Sequence, residues 1–145
     1  MPMTNNLFQL TFPDGWKETT VHTFEGPHDS GVQHNLVLTV VPGIDKDTVL
    51  SKYAKEQLAV STQVLPGFES LSETETKLPS GVPVFIAVYK YSPSDEITYY
   101  QKQYFVIQGG KAYTFSSTFS KKTLQTVANE VDQIVATFRA MGMEG

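Results

Sequence analysis

The sequence contains no cysteine, and this absence excludes several kinds of chemistry. Disulfide bonds, thiolate metal ligands and a cysteine nucleophile all require that residue. Cationic residues are few and dispersed: Arg139 is the single arginine, and the 11 Lys and Arg residues are outnumbered by 15 Asp and Glu residues. Because a nucleic-acid partner normally requires a basic patch, we expect no nucleic acid to bind.

Long hydrophobic runs and targeting signals are missing as well. The longest mainly apolar stretch, residues 82–89, is far shorter than the about 20 residues that cross a bilayer as a helix. The first residues lack the basic region and apolar segment of a signal peptide. Together with the lack of cysteine, these features favour a cytoplasmic protein without direct membrane insertion. A length of 145 residues is typical of a single domain, here residues 1–145.

No segment of the sequence has the pattern of a catalytic motif. Nucleophile-elbow, phosphate-loop and dinucleotide-binding patterns are all absent. Residues 109–111, Gly-Gly-Lys, resemble part of a phosphate loop, but they lie between two predicted strands, which favours a hairpin turn. Asp95 and Glu96 occupy the tip of another predicted hairpin, where a buried acid–base pair is not expected. We therefore expect no enzymatic activity and no cofactor.

Three histidines are the remaining candidates for metal ligands. His22, His28 and His34 follow one another at intervals of six residues, and this spacing matches no common ligand motif. A metal site would need at least two of them to converge, with a carboxylate such as Asp29. We expect all three to be surface or loop histidines, and no metal to bind.

Hydrophobic periodicity predicts an order of three strands, a helix, four strands and a final helix. The predicted strands are residues 7–12, 18–24, 34–41, 69–78, 82–91, 97–108 and 112–119, and the predicted helices are residues 47–65 and 123–140. Residues 25–32 contain Gly-Pro and Ser-Gly pairs, which predict a loop. Because short turns join consecutive strands, we expect an α+β fold in which the helices cover the apolar face of an antiparallel sheet.

Apolar stripes predict the buried faces of both helices. In the first helix, Leu50, Ala54 and Leu58 recur on one face, and Asp45 or Asp47 is the predicted N-terminal cap. Four positions of the second helix are expected to pack on the sheet: Val127, Val131, Ile134 and Phe138.

The strand at residues 34–41 has two different faces. One carries His34, Leu36, Leu38 and Val40, most of which suit a core, and the other carries Asn35, Val37, Thr39 and Val41. Neighbouring predicted strands continue the second, mixed face with Val21, Thr23, Tyr99, Gln101 and Gln103. Such a face is either simply solvated, or it binds an apolar helix while satisfying the occasional polar group of that helix.

Tyrosine and phenylalanine concentrate in the last three predicted strands. Alternation divides these rings between the two faces of the sheet, so some of them belong to the core. The remainder is consistent with an ordinary aromatic sheet or with an amphipathic binding face, because tyrosine places a polar hydroxyl on an apolar ring.

Four features of the sequence resemble a known protein family. They are the Phe-Pro-Asp-Gly-Trp turn at residues 12–16, the end of the first helix at residues 57–68, the Gln-Tyr-Phe-Val strand at residues 103–106 and the valine-rich final helix. These features are similar to the DcrB-like family, and in particular to its cytoplasmic Eag branch, the chaperones of type VI secretion effectors. The similarity extends over nearly the whole chain.

The resemblance implies both a fold and a function. The implied fold is Mog1/PsbP-like, a twisted antiparallel sheet of about six to seven strands with two packed helices. The implied function is that of a homodimeric chaperone or adaptor, which binds and shields the N-terminal transmembrane helices of an Rhs-type effector before export. Secreted lipoprotein relatives carry a signal sequence and a lipobox cysteine, and the lack of both here favours the cytoplasmic branch.

The resemblance also implies where the partner binds. By matching strands, the groove positions are Val21, Thr23, Asn35, Val37, Thr39, Gln57, Leu65, Tyr99 and Gln103. The alternative function is that of a non-enzymatic protein-binding or assembly module with the same Mog1/PsbP-like fold.

Overall fold

The computed structural model describes residues 2–4, 9–11, 13–15, 20–29 and 32–140. Its strands are β1 (Pro2–Thr4), β2 (Gln9–Thr11), β3 (Thr20–Asp29), β4 (Val32–Pro42), β5 (Glu69–Lys77), β6 (Pro83–Ser94), β7 (Ile97–Gln108) and β8 (Lys111–Phe119). Its helices are α1 (Leu50–Val64) and α2 (Val127–Ala136), and a short 3-10 turn at Thr123–Gln125 precedes α2. Within these ranges, no helix is both long enough and apolar enough to cross a bilayer.

Six of the strands form one antiparallel sheet in the order β3-β4-β8-β7-β6-β5. Strands β5 to β8 follow one another as a meander, and the β3–β4 hairpin joins it by pairing β4 with β8. Strands β1 and β2 pair separately as a two-stranded ribbon. The prediction of an α+β fold with an antiparallel sheet and two packed helices is therefore confirmed.

The two helices pack on opposite faces of this sheet. Phe105 of β7 and Ala54 of α1 belong to one buried cluster, whereas Tyr104 of β7 and Val131 of α2 belong to another. Because adjacent residues of a strand point to opposite faces, each face of the sheet has its own core. The expectation that both helices cover one apolar face is wrong, since β6 and β7 are apolar on both of their faces.

The cluster beneath α2 is rich in aromatic rings. Tyr104, Phe115 and Phe119 of the sheet are buried there, and Val135 of α2 packs against them. The prediction that Ile134 packs on the sheet is wrong, because its side chain is 53% exposed. The buried positions of α2 recur at intervals of four residues and include Val135. Ile134, one residue earlier, therefore lies at the edge of the contact with the sheet.

A polar contact joins α2 to the same sheet face. The Tyr104 hydroxyl donates a hydrogen bond to Asp132 Oδ1, and Lys102 Nζ lies 2.7 Å from that oxygen. Burial, followed by the hydrogen bond and the charge of Asp132, raises the pKa of Tyr104 above its ordinary value. Charge-assisted hydrogen bonds of this kind fix geometry as well as contributing energy.

Helix α1 begins at Leu50, later than the sequence predicts. Its N-cap residue is Val49, which makes no side-chain capping hydrogen bond. Asp45 Oδ1 instead accepts a hydrogen bond from the backbone N–H of Asp47 at 2.9 Å. This local bond closes a turn ahead of the helix, so the prediction that one of these two residues caps α1 is wrong.

The predicted loop at residues 25–32 is largely strand, because β3 and β4 extend into it from both sides. The register of their pairing shifts between Glu25 and His28. The segment between them contains Pro27, and an edge-strand bulge tolerates a residue that has no N–H to donate. The predicted strand at residues 7–12 corresponds to β2, and its other residues lie outside the described part of the chain.

Replacement of Phe138 by alanine is expected to destabilise the protein. Its ring follows α2 and lies 4.9 Å from the Tyr113 ring and 5.2 Å from the Phe115 ring, centroid to centroid. Because the ring is only partly buried, we expect a loss of about 3 kcal/mol, at the low end for phenylalanine truncation. Thermal or urea unfolding measures this loss, and the exposed neighbour Arg139→Ala is the control. An unchanged unfolding curve for Phe138→Ala would contradict the packing.

Candidate functional site

Helix α1 covers only one half of its sheet face. Ala54 and Leu58 pack against Phe85, Ala87 and Tyr89 in the cluster beneath α1, which lies over β6 and β7. Residues of β3, β4 and β8 on the same face lie beyond this cluster, and their side chains that point to this face are exposed or partly exposed. We call this surface the open face and define it by Val21, Thr23, Val37, Thr39, Gln103, Thr114 and Ser116.

Strand pairing arranges the open face in two cross-strand rows. The first row, read from β7 to β3, is Gln103, Ser116, Val37 and Thr23. The second row, read from β8 to β3, is Thr114, Thr39 and Val21. Strands in a sheet are about 4.8 Å apart, so four strands give the open face a width of about 14 Å.

A groove of about 310 Å³ runs between α1 and the open face. Tyr53, Gln57 and Val60 of α1 line one side of it, and Thr39 and Ser116 line the other. The Val60 side chain is 59% exposed, so the wall contributed by α1 presents an apolar group to solvent. Four residues of the open face, Thr39, Gln103, Thr114 and Ser116, also line this groove, so the groove and the open face adjoin.

The seven residues of the open face carry no formal charge, and their polar groups are hydroxyls and an amide. Glu25 follows Thr23 on the same face of β3 and is exposed. Gln103 Nε2 donates a hydrogen bond to Ser116 Oγ at 3.0 Å, which holds the carboxamide against the sheet. Val21, at the outer edge, is 58% exposed. A surface of this composition offers apolar contact together with hydroxyl groups that both donate and accept hydrogen bonds.

Most of the residues implied by the family resemblance come together here. Val21, Thr23, Val37, Thr39 and Gln103 all belong to the open face. Gln57 lies across the groove on α1. Asn35 is on the same face of β4 as Val37, and its Oδ1 atom is buried and accepts no hydrogen bond within the described part of the chain.

Two of the implied residues lie apart from the open face. Leu65 packs into the cluster beneath α1, so its position is explained by the core. Tyr99 lies near the β6–β7 hairpin, where its ring is 5.9 Å from the Tyr91 ring. A partner-binding role for any of these residues stays a prediction.

The sequence interpretation missed the contribution of β8 and part of α1. Thr114 and Ser116 stand in the middle of the open face, whereas in the sequence their strand is distinguished only by its aromatic residues. Their alternation with the buried Phe115 was a usable signal, because it separates a hydroxyl-bearing face from a core face. No comparable signal in the sequence points to Val60, because the sequence does not specify which side of α1 lies beside the open face.

The described histidines lie in different environments. The expectation of a surface position is wrong for His34, which is 2% exposed and packs with its ring 5.8 Å from the Phe119 ring. Its place on β4 turns it to the same face as Leu36, under α2. His22 is exposed as expected, and the His28 side chain lies outside the described residues. Where side chains are described, no three His, Asp or Glu residues converge as metal ligands would.

The fold and the half-covered face define a small α+β protein built on one antiparallel sheet, with a helix on each side. Within this class, the sequence profile of the DcrB family matches residues 8–137. The chain therefore belongs to the DcrB family. None of the curated proteins searched matches the sequence.

Several solved structures are similar to this chain, and the two described here align with almost its whole length. PA94 of Pseudomonas aeruginosa, a protein of unknown function, has a TM-score of 0.75 at 16% identity and covers 99% of this chain and 98% of its own. The PsbP protein of the cyanobacterium Synechocystis sp. PCC 6803, CyanoP, has a TM-score of 0.59 at 14% identity, with 97% and 91% covered. At these identities the similarity establishes the fold, which confirms the PsbP-like architecture.

Proposed function

We propose that this DcrB-family protein is a cytoplasmic chaperone or adaptor that binds the N-terminal transmembrane helices of a type VI secretion Rhs-type effector and shields them before export. The observation that carries the proposal is the open face, a broad, uncharged and partly apolar surface beside α1. A transmembrane helix presents about 20 apolar residues. Such a helix needs cover in water, because each Å² of apolar surface left exposed costs about 25 cal/mol.

The size of the open face suits one helix. An α-helix with its side chains is about 10–12 Å in diameter, and the four strands of the open face span about 14 Å. Helix α1 lies along one side of this surface, so a bound helix would contact both the sheet and the side of α1. Val60 on that side adds to the apolar contact.

The composition of the open face also suits an apolar helix that carries a few polar groups. Val21 and Val37 supply apolar contact, and Thr23 and Thr39 supply hydroxyls. The seven residues of the open face include no Asp, Glu, Lys or Arg, and the neighbouring Glu25 is exposed on the edge strand β3, so a helix bound on these seven residues buries no charge. Its hydroxyls lack an adjacent histidine or carboxylate within the open face, which favours a binding role over nucleophilic catalysis.

We further propose that the protein acts as a homodimer. One open face contacts one side of a bound helix and leaves the opposite side in water. A second copy would supply a second face, and closed two-fold dimers are the commonest oligomers of soluble proteins.

The test is co-expression with the N-terminal region of an Rhs-type effector fused to a soluble carrier protein. We expect the fusion to remain soluble and to co-purify, and we expect the free protein to have about twice the 16.1 kDa mass of the chain by light scattering. The control is the same fusion without its transmembrane helices, which should not bind. Equal binding of the control would favour the alternative, a protein-binding or assembly module that does not recognise apolar helices. A monomer both alone and with the client would contradict the dimer.

A further inference from the structure

A second cavity lies on the other face of the sheet, away from the open face. It holds about 390 Å³ and opens between β3, β4 and α2. Leu36 and Phe115 of the sheet and Val131 of α2 form its inner walls. Phe24 and Ile134, which are 56% and 53% exposed, stand at its mouth. A ligand bound at the mouth would remove the apolar surface of these two side chains from water.

The interior of this cavity carries few polar groups. The Ser117 hydroxyl donates a hydrogen bond to the backbone carbonyl of Asn35 at 2.6 Å. The buried His34 ring packs against Phe119. The interior therefore suits the apolar body of a ligand rather than a strongly polar molecule.

Two charged residues line the cavity, Glu25 and Glu130, and both are acidic. Their side chains point in different directions. Glu25 of β3 pairs across strands with Asn35, so alternation places its side chain on the opposite face from Phe24. Glu130 lies one turn before Ile134 on α2, and residues at this spacing are neighbours on a helix surface. Glu130 is exposed and makes no ion pair within the described part of the chain. It supplies the negative charge at the mouth.

We propose that this cavity binds a small amphipathic cation, with its apolar body between β4 and α2 and its ammonium group beside Glu130. The volume falls in the range of about 300–1,000 Å³ that is usual for small-molecule sites. A single side chain of a protein partner would leave much of this space empty. The cavity and the open face lie on different sides of the sheet, so the proposal does not rest on client binding.

Three eight-carbon probes test the charge preference at pH 7 while keeping the apolar body constant. They are n-octylammonium, n-octanol and n-octanoate, and calorimetric titration measures their dissociation constants. We expect n-octylammonium to bind about fivefold more tightly than n-octanol, in line with one surface ion pair, and n-octanoate to bind most weakly. Binding of n-octanoate at least as tight as that of n-octylammonium would overturn the proposal.

A matched pair of variants locates the charge. Glu130→Gln should remove the advantage of n-octylammonium over n-octanol and leave the n-octanol affinity unchanged. Glu25→Gln should keep that advantage, because its carboxylate is assigned to the other face of the sheet. If the two variants behave alike, the assignment of the ammonium position to Glu130 is wrong.

A second pair locates the cavity itself. Ile134→Lys places a competing ammonium group at the mouth and should weaken n-octylammonium binding by about tenfold or more. Val64→Lys is the control, since Val64 is 67% exposed on α1, on the other side of the sheet. Both positions are exposed, so both variants should retain the melting temperature of the wild type. Unchanged n-octylammonium binding by Ile134→Lys would show that the probe binds elsewhere.

Discussion

Replacement of Val37 by glutamate is expected to leave the protein folded and to abolish its capture of a transmembrane helix. Val37 lies in the middle of the open face, between Thr23 on β3 and Ser116 on β8. In the free protein, a carboxylate here reaches water past two small neighbours. In a complex it would be buried against hydrocarbon without a partner, and that costs several kcal/mol.

The matched control is the neighbouring residue on the same strand. Leu36 points to the opposite face and is 7% exposed in the core beneath α2, so Leu36→Glu should unfold the domain. Leu38, which is only partly buried, is a weaker control. Circular dichroism reports folding, and co-purification with the effector fusion reports capture. A folded Val37→Glu variant that still captures the helix would place the client elsewhere on the molecule.

The stability of the protein is expected to fall as the pH rises above 10. Burial raises the pKa of Tyr89 to about 12, an effect that its hydrogen bond with Ser61 partly offsets and the charge of Tyr91 reinforces. Burial also raises the pKa of Tyr104. In the unfolded chain both phenols have the ordinary pKa of about 10. The stability that these two buried phenols contribute is therefore fully present below pH 10. It is lost as the pH rises through 12, because the phenols of the unfolded chain ionise in this range more readily than those of the folded protein.

Melting temperatures measured between pH 9 and pH 12 test this expectation. We expect a decrease of about 5–10 °C across that interval. An ultraviolet titration of the phenols should show slow or late ionisation of the two buried tyrosines, and Tyr89→Phe should reduce the slope of melting temperature against pH. A flat profile through pH 12 would contradict the burial of these hydroxyl groups.

Local patterns in the sequence predicted much of the sheet. Strand β7 has the predicted bounds, since its alternation is long and the turn that follows it contains Gly109 and Gly110, whose φ angles are 62° and 75°. The placement of the helices on opposite faces was not predictable in this way. The segment from Val84 to Ala87 is apolar at successive positions, and such a run indicates burial on both sides without specifying which element covers each side.

The candidate site was predictable one strand at a time. Alternation in β4 separated Val37 and Thr39 from Leu36, and the structure has them on opposite faces. The missing part is the pairing of β4 with β8, which joins residues far apart in the sequence. No local pattern specifies that pairing, so Thr114 and Ser116 were not placed in the middle of the surface.

Strand β7 contributes successive residues to the two cores, and this has a consequence for how the domain unfolds. Tyr104 supports the cluster beneath α2, and Phe105 supports the cluster beneath α1. Each is about 1% exposed. Detachment of either helix would leave one side of the same strand in water and would weaken the surface on which the other helix rests. We therefore expect the two layers not to melt independently, so that the protein unfolds as one cooperative unit.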